Sequence, residues 1–341
     1  MKRKWPCINR RLLSHRGTVR LATKARPVVF LRWLLLLALL SKRKVAVKFH
    51  SSSAEFYVPD GLPISQALAR TTHLCVAAHP DDIEIMAVQP ILECFHQPDK
   101  AFTGVIVTDG RGSPRSGPYQ DYTDEAMRQV RIEEQRKAAQ TGEYAALALL
   151  DYPSSVVKDP TQAELVEDLA ALLRAASPQV VFTHSLIDEH DTHVAVALRL
   201  IQALRSLEAA ARPERVIGCE LWRSLDWMTD AEKVVMNVSE HQNLQAALLG
   251  VFDSQITGGK HYVAAAMGRR AANATFYDPY TVDAATGLIF GMDLTPLVRD
   301  TSLEIGAYVH SFIDHFAQDV ATRIVRLEAP GLPPLEMDPN C

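Results

Sequence analysis

Two short segments of the chain place histidine and carboxylate residues at spacings that suit a metal ion. The first is the run A-H-P-D-D at residues 78–82, and the second is D-E-H-D-T-H at residues 188–193. His79 and Asp82 are three positions apart, so they face the same side if the turn opens a helix, whereas Asp81 points elsewhere. The first segment can therefore supply two metal ligands and a free carboxylate, and the second repeats the spacing with two histidines.

Each segment follows an apolar run that is typical of a buried strand. Residues 73–78 read H-L-C-V-A-A, and residues 179–183 read Q-V-V-F-T. Ligands of open parallel sheets bind at the carboxyl ends of the strands. We therefore expect His190 and His193, which follow the later strand, to lie near the first segment at one edge of a sheet.

From about Ala46 onward, short apolar runs alternate with longer amphipathic stretches, a pattern that is typical of β-α-β units. We expect an α/β fold with a single Rossmann-like domain, in which helices flank a mostly parallel sheet and the site lies at the carboxyl ends of the strands. The predicted strands are 73–78, 102–108, 146–150, 179–183, 215–222 and 234–238, and the predicted helices are 83–95, 123–142, 162–176, 192–211, 241–251 and 261–275.

Several motifs together resemble the LmbE/PIG-L deacetylase family. They are A-H-P-D-D followed by I-E-I, T-D-G after the next strand, R-x-x-E-x-x-x-A at residues 131–138, and a later H-x-x-H. The resemblance covers most of residues 76–277. It implies a zinc-dependent hydrolase that cleaves a linear amide bond, with an N-acetylglucosamine conjugate or a related small N-acyl compound as its substrate.

The same resemblance implies that His79, Asp82 and His193 hold the metal and that Asp81 is the general base. The chemistry of these residues agrees, because two imidazoles and one carboxylate leave coordination positions open for water and substrate. An unligated carboxylate can then take a proton from the water. His190 is the candidate donor to the oxyanion or to the leaving amine. Fe(II) is an alternative metal for this arrangement.

Four further residues are candidates for binding substrate or supporting the ligands. Arg131 either reaches the acidic cluster or lies on a solvated helix face, and Asp109 either contacts substrate hydroxyls or makes a turn with the following glycine. The family usually has an aspartate directly before the second ligand histidine, but this chain has Thr192. Asp188 and Asp191 are therefore both candidates for orienting that imidazole.

Two other stretches depart from the family pattern. A Gly-Gly pair commonly follows the first motif, whereas this chain has M-A-V-Q at residues 86–89, so helix packing or substrate approach differs there. The loop at residues 110–122 carries Arg111 and Arg115 and follows a predicted strand. We expect this loop to contribute to substrate choice, since long loops at strand ends often carry function.

The beginning of the chain differs in composition from the rest. Residues 1–54 include many Lys and Arg residues but no Asp or Glu, and the apolar run at 28–40 is short for a bilayer span. Three interpretations of an extension at 1–45 remain: an anchor at an anionic membrane surface, a disordered tail, and sequence translated from a start codon placed too early, which we favour. The hydrolytic domain is predicted at 46–329, followed by a flexible Pro-rich tail at 330–341.

Composition argues against several other classes of protein. A net charge of −4 indicates no nucleic-acid partner, and five scattered cysteines without a C-x-x-C pair favour a reducing compartment, hence the cytoplasm. No G-x-G-x-x-G follows the first strand, which argues against a nucleotide-binding module. The remaining alternatives are a metal-bound, catalytically weak sugar-binding protein and an amidase for a non-sugar N-acyl substrate.

Overall fold

The computed structural model describes residues 47–328. The proposed extension at 1–45 and tail at 330–341 lie outside these residues, so both stay predictions. The strands are β1 (Glu55–Tyr57), β2 (His73–Ala77), β3 (Phe102–Thr108), β4 (Ala146–Tyr152), β5 (Val180–His184), β6 (Arg215–Cys219), β7 (Lys233–Asn237) and β8 (Leu288–Asp293). The α-helices are α1 (Ile64–Ala69), α2 (Asp82–Met86), α3 (Val88–Cys94), α4 (Asp124–Thr141), α5 (Ser154–Lys158), α6 (Glu164–Ala176), α7 (Asp191–Arg205), α8 (Gln242–Gly250), α9 (Asp253–Ile256), α10 (Tyr262–Thr275), α11 (Thr295–Arg299) and α12 (Ile305–Glu328).

These strands form one sheet in the order β1-β4-β3-β2-β5-β6-β8-β7. β2 pairs in parallel with β3 on one side and with β5 on the other, and β4 and β6 extend the parallel part. The predicted α/β fold with a mostly parallel sheet is therefore confirmed. Because β2 and β5 are neighbours, the two segments that follow them begin side by side at the same edge of the sheet.

Pairing is antiparallel at both edges of the sheet. β1 pairs with β4, and β8 lies between β6 and β7 and pairs with both. Neither β1 nor β8 was predicted from the sequence. β1 has three residues, too few for a clear pattern, whereas β8 is the apolar run L-I-F-G-M-D at residues 288–293, a strand signal that was overlooked.

Helices cover the central strands on both faces, so these strands are buried throughout. All five residues of β2 and all seven of β3 are buried. Leu74 and Val76 belong to the apolar cluster that includes α6 and α7, whereas Cys75 and Ala77 belong to the cluster that includes α2 and α3. Alternate residues of β2 thus pack against the helices on opposite faces of the sheet, and this packing fixes the position of the end of β2.

The single helix predicted at residues 83–95 is wrong, because the structure contains two helices, α2 and α3, that meet at Ala87. Pro90 explains the break. Its ring would clash with the carbonyl of Met86 in a continuous helix, and it has no N–H to donate. The A-H-P-D-D segment therefore leads into a short helix that ends after one turn.

Two other predicted helices are present with small differences. α4 begins after Thr123, whose Oγ1 accepts a hydrogen bond from the Ala126 N–H at 3.2 Å, and it ends before Gly142 as expected. The helix predicted to continue to residue 211 ends at Arg205. The Ser206 hydroxyl donates to the carbonyl of Ala203, which competes with continuation of the helix.

None of the helices within residues 47–328 combines the length and the apolar character needed to cross a bilayer.

Candidate metal centre

The first ligand segment forms a tight turn between β2 and α2. Asp81 has a positive φ of 91°, which turns the chain sharply before Asp82 begins α2. Two hydrogen bonds hold this turn: the Asp81 N–H donates to Oε1 of Gln135 at 3.0 Å, and the His79 N–H donates to Oδ2 of Asp82 at 2.7 Å. The sharp turn and these two hydrogen bonds of the backbone N–H groups together fix the side-chain positions in the segment.

Three predicted ligands lie together at the carboxyl ends of β2 and β5. Nδ1 of His79 is 3.2 Å from Oδ2 of Asp82 and 3.1 Å from Nε2 of His193. Nε2 of His193 is 3.4 Å from the same Asp82 oxygen. Asp82 and His193 are buried, and His79 is partly exposed toward a cleft. The three donor atoms therefore form a compact triangle with one side open.

This triangle fits a zinc ion. A point equidistant from three atoms at these separations lies about 1.9 Å from each in their plane, close to zinc–nitrogen and zinc–oxygen bond lengths of about 2.0–2.2 Å. Burial raises the pKa of Asp82, but the charges of His193 and His79 oppose this and lower it well below its usual range. The carboxylate is thus ionised, as a metal ligand must be.

Two more histidines, His184 and His190, lie close to this cluster. Two overlapping groups of side chains could hold a metal ion: His79, His190 and His193 form one, and Asp82, His184 and His193 form the other. His184 is fully buried and stacks on His193 with the ring centroids 4.0 Å apart. Its Nε2, however, accepts a hydrogen bond from the Ala78 N–H at 2.8 Å. Since that lone pair is used, His184 is a packing partner of the ligands rather than a competing ligand.

Asp188 occupies the position from which a carboxylate can orient His193. Its Oδ2 lies 3.6 Å from Nδ1 of His193, on the opposite side of the ring from the other ligands. Asp191, the second candidate from the sequence, is exposed at the start of α7, and Thr192 is buried beside it. The structure therefore brings Asp188 into the cluster and leaves Asp191 outside it.

The Asp81 carboxylate forms a buried ion pair with Arg131. Nη2 of Arg131 donates to Oδ2 of Asp81 at 2.8 Å and also to the carbonyl of Pro80. Arg131 is 2% exposed, so it reaches the acidic cluster and does not lie on a solvated face. Asp81 does not cap α2 through its side chain. Burial raises the pKa of Asp81 to about 6, although the charge of Arg131 opposes the rise.

Arg131 also connects the site to the C-terminal part of the domain. Its Nη1 donates to Glu134 Oε2 at 3.2 Å and to Ser254 Oγ at 3.4 Å. Glu134 in turn accepts from the N–H and the hydroxyl of Ser254 at 2.6 and 2.7 Å. The spacing within R-x-x-E on α4 thus builds one buried polar network that fixes the Arg131 guanidinium.

His190 lies on the open side of the triangle. Its ring stacks on His193 with centroids 4.5 Å apart and meets His79 edge-on at 5.0 Å. Burial, and then the charges of His193 and His79, lower the pKa of His190 below its ordinary value. The His190 imidazole is therefore neutral near pH 7, and it lies between the proposed ligands and solvent.

A cleft of about 710 Å³ opens above these residues. Asp109 and the loop at 110–114 line one wall; Asp109 Oδ1 also accepts from the Arg111 N–H at 3.1 Å, so this carboxylate both forms a turn and faces the cleft. Six further lining residues were not predicted from the sequence, because they come from distant elements and follow no local motif: Ser154, Lys158, Trp222, Gln255, Lys260 and Tyr262.

The two arginines of the 110–122 loop are held away from a direct role in the cleft. Arg111 pairs with Asp109 at 3.3 Å and with Glu125 at 3.4 Å, while Arg115 pairs with Asp124 at 2.5 Å. They anchor the loop to the start of α4. The part of the loop that lines the cleft is formed by small residues: Gly110, Gly112, Ser113 and Pro114.

Comparison with known families identifies one match in sequence. Residues 74–204 match the family model PIG-L, described as GlcNAc-PI de-N-acetylase. This segment contains both ligand segments and Arg131. No curated protein matches the chain in sequence.

Several solved structures share the fold. The conserved protein TT1542 from Thermus thermophilus is 20% identical, with a TM-score of 0.50 over 65% of this chain and 94% of that one. GalB, the 4-carboxy-2-hydroxymuconate hydratase from Pseudomonas putida, is 17% identical, with a TM-score of 0.51 over 66% and 96%. N,N'-diacetylchitobiose deacetylase from Pyrococcus horikoshii is 16% identical, with a TM-score of 0.49 over 64% and 83%.

Proposed function

We propose that this chain, whose residues 74–204 match the PIG-L family, hydrolyses the N-acyl amide of an amino-sugar conjugate with the help of a bound zinc ion. The observation that carries the proposal is the triangle of donor atoms from His79, Asp82 and His193, whose sides measure 3.1 to 3.4 Å, beside the unligated carboxylate of Asp81. N-acetyl compounds are the first substrates to test, in keeping with the family description.

The donor set favours zinc, since two imidazoles and one carboxylate are typical of catalytic zinc sites, with iron(II) as the alternative. Zinc held there supplies a Lewis acid that polarises the amide carbonyl and lowers the pKa of a water molecule. Asp81 takes the proton that the attacking water loses. Because Arg131 bonds Oδ2 of Asp81, we assign the proton to Oδ1.

His190 complements Asp81. A neutral imidazole at the open side of the triangle can donate a hydrogen bond to the carbonyl oxygen as negative charge develops there. Asp81 then returns its proton to the amine nitrogen as the C–N bond breaks. The buried ion pair with Arg131 restrains the Asp81 carboxylate so that it can serve both steps without moving.

The cleft suits a sugar. Its walls present Asp109, Ser154, Lys158 and Gln255, which can bond hydroxyl groups, and Trp222 offers an aromatic face. Pockets of a few hundred cubic ångströms with a few placed polar groups are the usual form of small-molecule sites. The polar lining favours an amino sugar over the alternative of a purely apolar N-acyl amide.

The rival function is a metal-bound sugar-binding protein without activity. Thr192 raised this alternative, because an orienting aspartate usually stands there. Asp188 beside His193 now supplies a carboxylate from another position, which favours an active enzyme. The fold alone does not select the reaction, since one of the similar structures is described as a hydratase.

Release of free amine from a panel of N-acetylglucosamine derivatives tests the proposal. We expect amine release with zinc, no release after treatment with a chelator, and recovery when zinc is returned. Asp81→Asn should lower kcat by about 10²–10⁴-fold, because an amide cannot take a proton. Asp314→Asn, at an exposed carboxylate on α12, is the matched control and should retain full activity. Sugar binding without amine release across the panel would instead establish the rival function.

A further inference from the structure

A second cavity, of about 130 Å³, lies behind Asp82 and adjoins the cleft. Asp82, Trp222 and Tyr262 line both spaces, so the two meet at a proposed metal ligand. The rings of Trp222 and Tyr262 meet edge-on with centroids 6.4 Å apart. We call the second cavity the side chamber; its far wall is formed by Ile85, Leu221, Ala265, Ala266 and Ile289.

Apart from the proposed ligand Asp82, the charged residues that touch the side chamber have partners for most of their polar atoms. Arg269 donates to the backbone carbonyls of Leu221 and Trp222. The Glu220 carboxylate accepts from the Asn273 amide at 2.6 Å and from the Phe290 N–H at 2.9 Å through one oxygen, and its other oxygen accepts from the Leu225 N–H at 3.0 Å. Arg270 donates to Gln245 at 2.9 Å and to two backbone carbonyls. Nε of Arg270 is the exception, because this buried atom has no hydrogen-bond partner among the described residues. Apart from that group, the chamber wall offers mainly apolar contacts, unlike the polar wall of the cleft.

The polar wall of the cleft and the mainly apolar wall of the side chamber meet at Asp82, beside the proposed metal site. This arrangement suits a substrate with a polar half and an apolar half. In an N-acyl amino sugar the amide carbon lies between these halves: the sugar is on the nitrogen side and the alkyl chain on the carbonyl side. With the sugar in the cleft, the alkyl chain points past Asp82 toward the side chamber.

The volume indicates the length of that chain. A cavity of about 150 Å³ lined by aliphatic and aromatic residues holds a benzene molecule, so a chamber of 130 Å³ has room for about five carbons. An acetyl methyl group would leave most of it empty. We propose that the side chamber binds the alkyl part of the acyl group and that the enzyme prefers acyl groups of about four to six carbons over acetyl, an inference that rests on the proposed amide hydrolysis.

This preference belongs to the present chain rather than to the family-matched segment. Apart from Asp82 and Ile85, the chamber residues lie after residue 204, where the family match ends. The reaction itself is unchanged. Water adds its oxygen to the acyl carbon, the C–N bond breaks, the carboxylate leaves with the alkyl chain, and the nitrogen gains the proton to become the free amine.

Comparison of N-hexanoyl-glucosamine with N-acetyl-glucosamine conjugates tests the preference. Each buried methylene favours binding by about fourfold, so four extra carbons, even if only partly buried, should raise kcat/KM by at least about tenfold. Ala266→Phe fills the chamber from α10 and should lower the ratio of kcat/KM for the hexanoyl substrate over the acetyl substrate to about one. Ala264→Phe places the same ring on the exposed side of α10 and is the matched control.

Ala266→Leu serves as a milder variant if the phenylalanine prevents folding, and it should remove part of the advantage. Equal kcat/KM values for the two substrates in the wild-type chain, or an advantage that survives both chamber variants, would overturn the proposal.

A binding measurement separates this inference from the proposed function. Titration calorimetry with hexanoate and with acetate, on zinc-treated protein, should show tighter binding of hexanoate by at least about tenfold, lost in Ala266→Phe. If hexanoate binds more tightly than acetate and Ala266→Phe removes the difference, but no amide is cleaved, the chamber binds alkyl chains as proposed and the hydrolase assignment fails. If acetyl amides are cleaved but hexanoate binds no better than acetate, the hydrolase stands and the chamber proposal fails.

Discussion

The Asp188 carboxylate lies 3.6 Å from Nδ1 of His193, whose Nε2 faces His79 and Asp82. Asp188 is itself held by two backbone N–H groups: that of His190 donates to Oδ1 at 3.0 Å and that of Trp222 donates to Oδ2 at 3.1 Å. The carboxylate is thus fixed between the loops that follow β5 and β6. At 3.6 Å the carboxylate is just beyond hydrogen-bond distance of Nδ1, and from this position it can direct the Nε2 lone pair of His193 toward the proposed metal site.

Asp188→Asn should therefore weaken zinc binding by about 10–100-fold, the usual cost of losing a partner of a metal-bound histidine. Asparagine keeps the shape of the side chain and one acceptor oxygen but loses the charge. Competition with a chromophoric chelator measures the affinity. Asp191→Asn is the matched control, because Asp191 is exposed, and it should bind zinc as the wild-type chain does. Similar losses in both variants would contradict the assignment of Asp188.

Arg131→Ala should destabilise the fold by about 3–5 kcal/mol, because it leaves the buried carboxylates of Asp81 and Glu134 without their cation. Urea unfolding followed by circular dichroism measures this loss. Arg136→Ala, on the same helix, is the control. Its partners Glu55 and Glu133 are 37% and 57% exposed, so its removal should cost less than about 1 kcal/mol. Equal losses would show that the Arg131 network is not the stabilising element.

The sequence predicts that the proposed ligands lie close together, because they follow buried strands and their spacing is local. His79 and Asp82 lie within one turn of chain, and the apolar runs before them and before the second segment read clearly as strands. Parallel pairing of β2 with β5 then brings the segments together without any further information. The break between α2 and α3 at Ala87 could also have been predicted from the sequence, since Pro90 excludes a continuous helix.

The lining of the cleft and chamber could not be predicted in the same way. Trp222 follows β6, and Lys260 and Tyr262 lie at the start of α10, so their meeting depends on how distant elements pack. Lys260 Nζ lies 5.0 Å from the centroid of the Trp222 ring, a contact that no sequence spacing indicates. Long-range packing of this kind forms the lining of the cleft, whereas local spacing brings the proposed metal ligands together.

Gly104→Ala tests how tightly the layer beneath the site packs. A Cβ at Gly104 in β3 would lie 3.0 Å from Cδ1 of Ile83 and 3.1 Å from Cε2 of Tyr144. Both neighbours are fully buried, so we expect a loss of about 1–3 kcal/mol from overpacking. Thermal unfolding measures it. Gly112→Ala is the control, because no atom lies within 4 Å of its added Cβ, and its melting temperature should not change. An unchanged melting temperature for Gly104→Ala would mean that this layer yields easily.

The stability of the domain should depend on pH through His50. Its ring Nδ1 forms a hydrogen bond of 2.7 Å with the buried Asp168 carboxylate, and its backbone N–H donates to the same carboxylate at 3.1 Å. The hydrogen bond to Asp168 raises the pKa of His50 above its ordinary value, although burial opposes the rise. A raised pKa in the folded state adds stability that is fully present below the unfolded pKa of about 6.5 and is lost as pH rises through the folded value.

His50→Ala should therefore destabilise the domain more at about pH 5.5 than at about pH 8.5. The difference should stay below about 1 kcal/mol, because the His50 side chain is 41% exposed and solvent screens the charge. Urea unfolding at both pH values measures it. The pH dependence of the His50→Ala effect should shrink in an Asp168→Asn background, since the main cause of the raised histidine pKa is then gone, although Glu167, 3.3 Å from Nε2 of His50, still acts in the same direction. An equal loss at both pH values in the otherwise wild-type chain would show that the contact acts through the neutral imidazole alone.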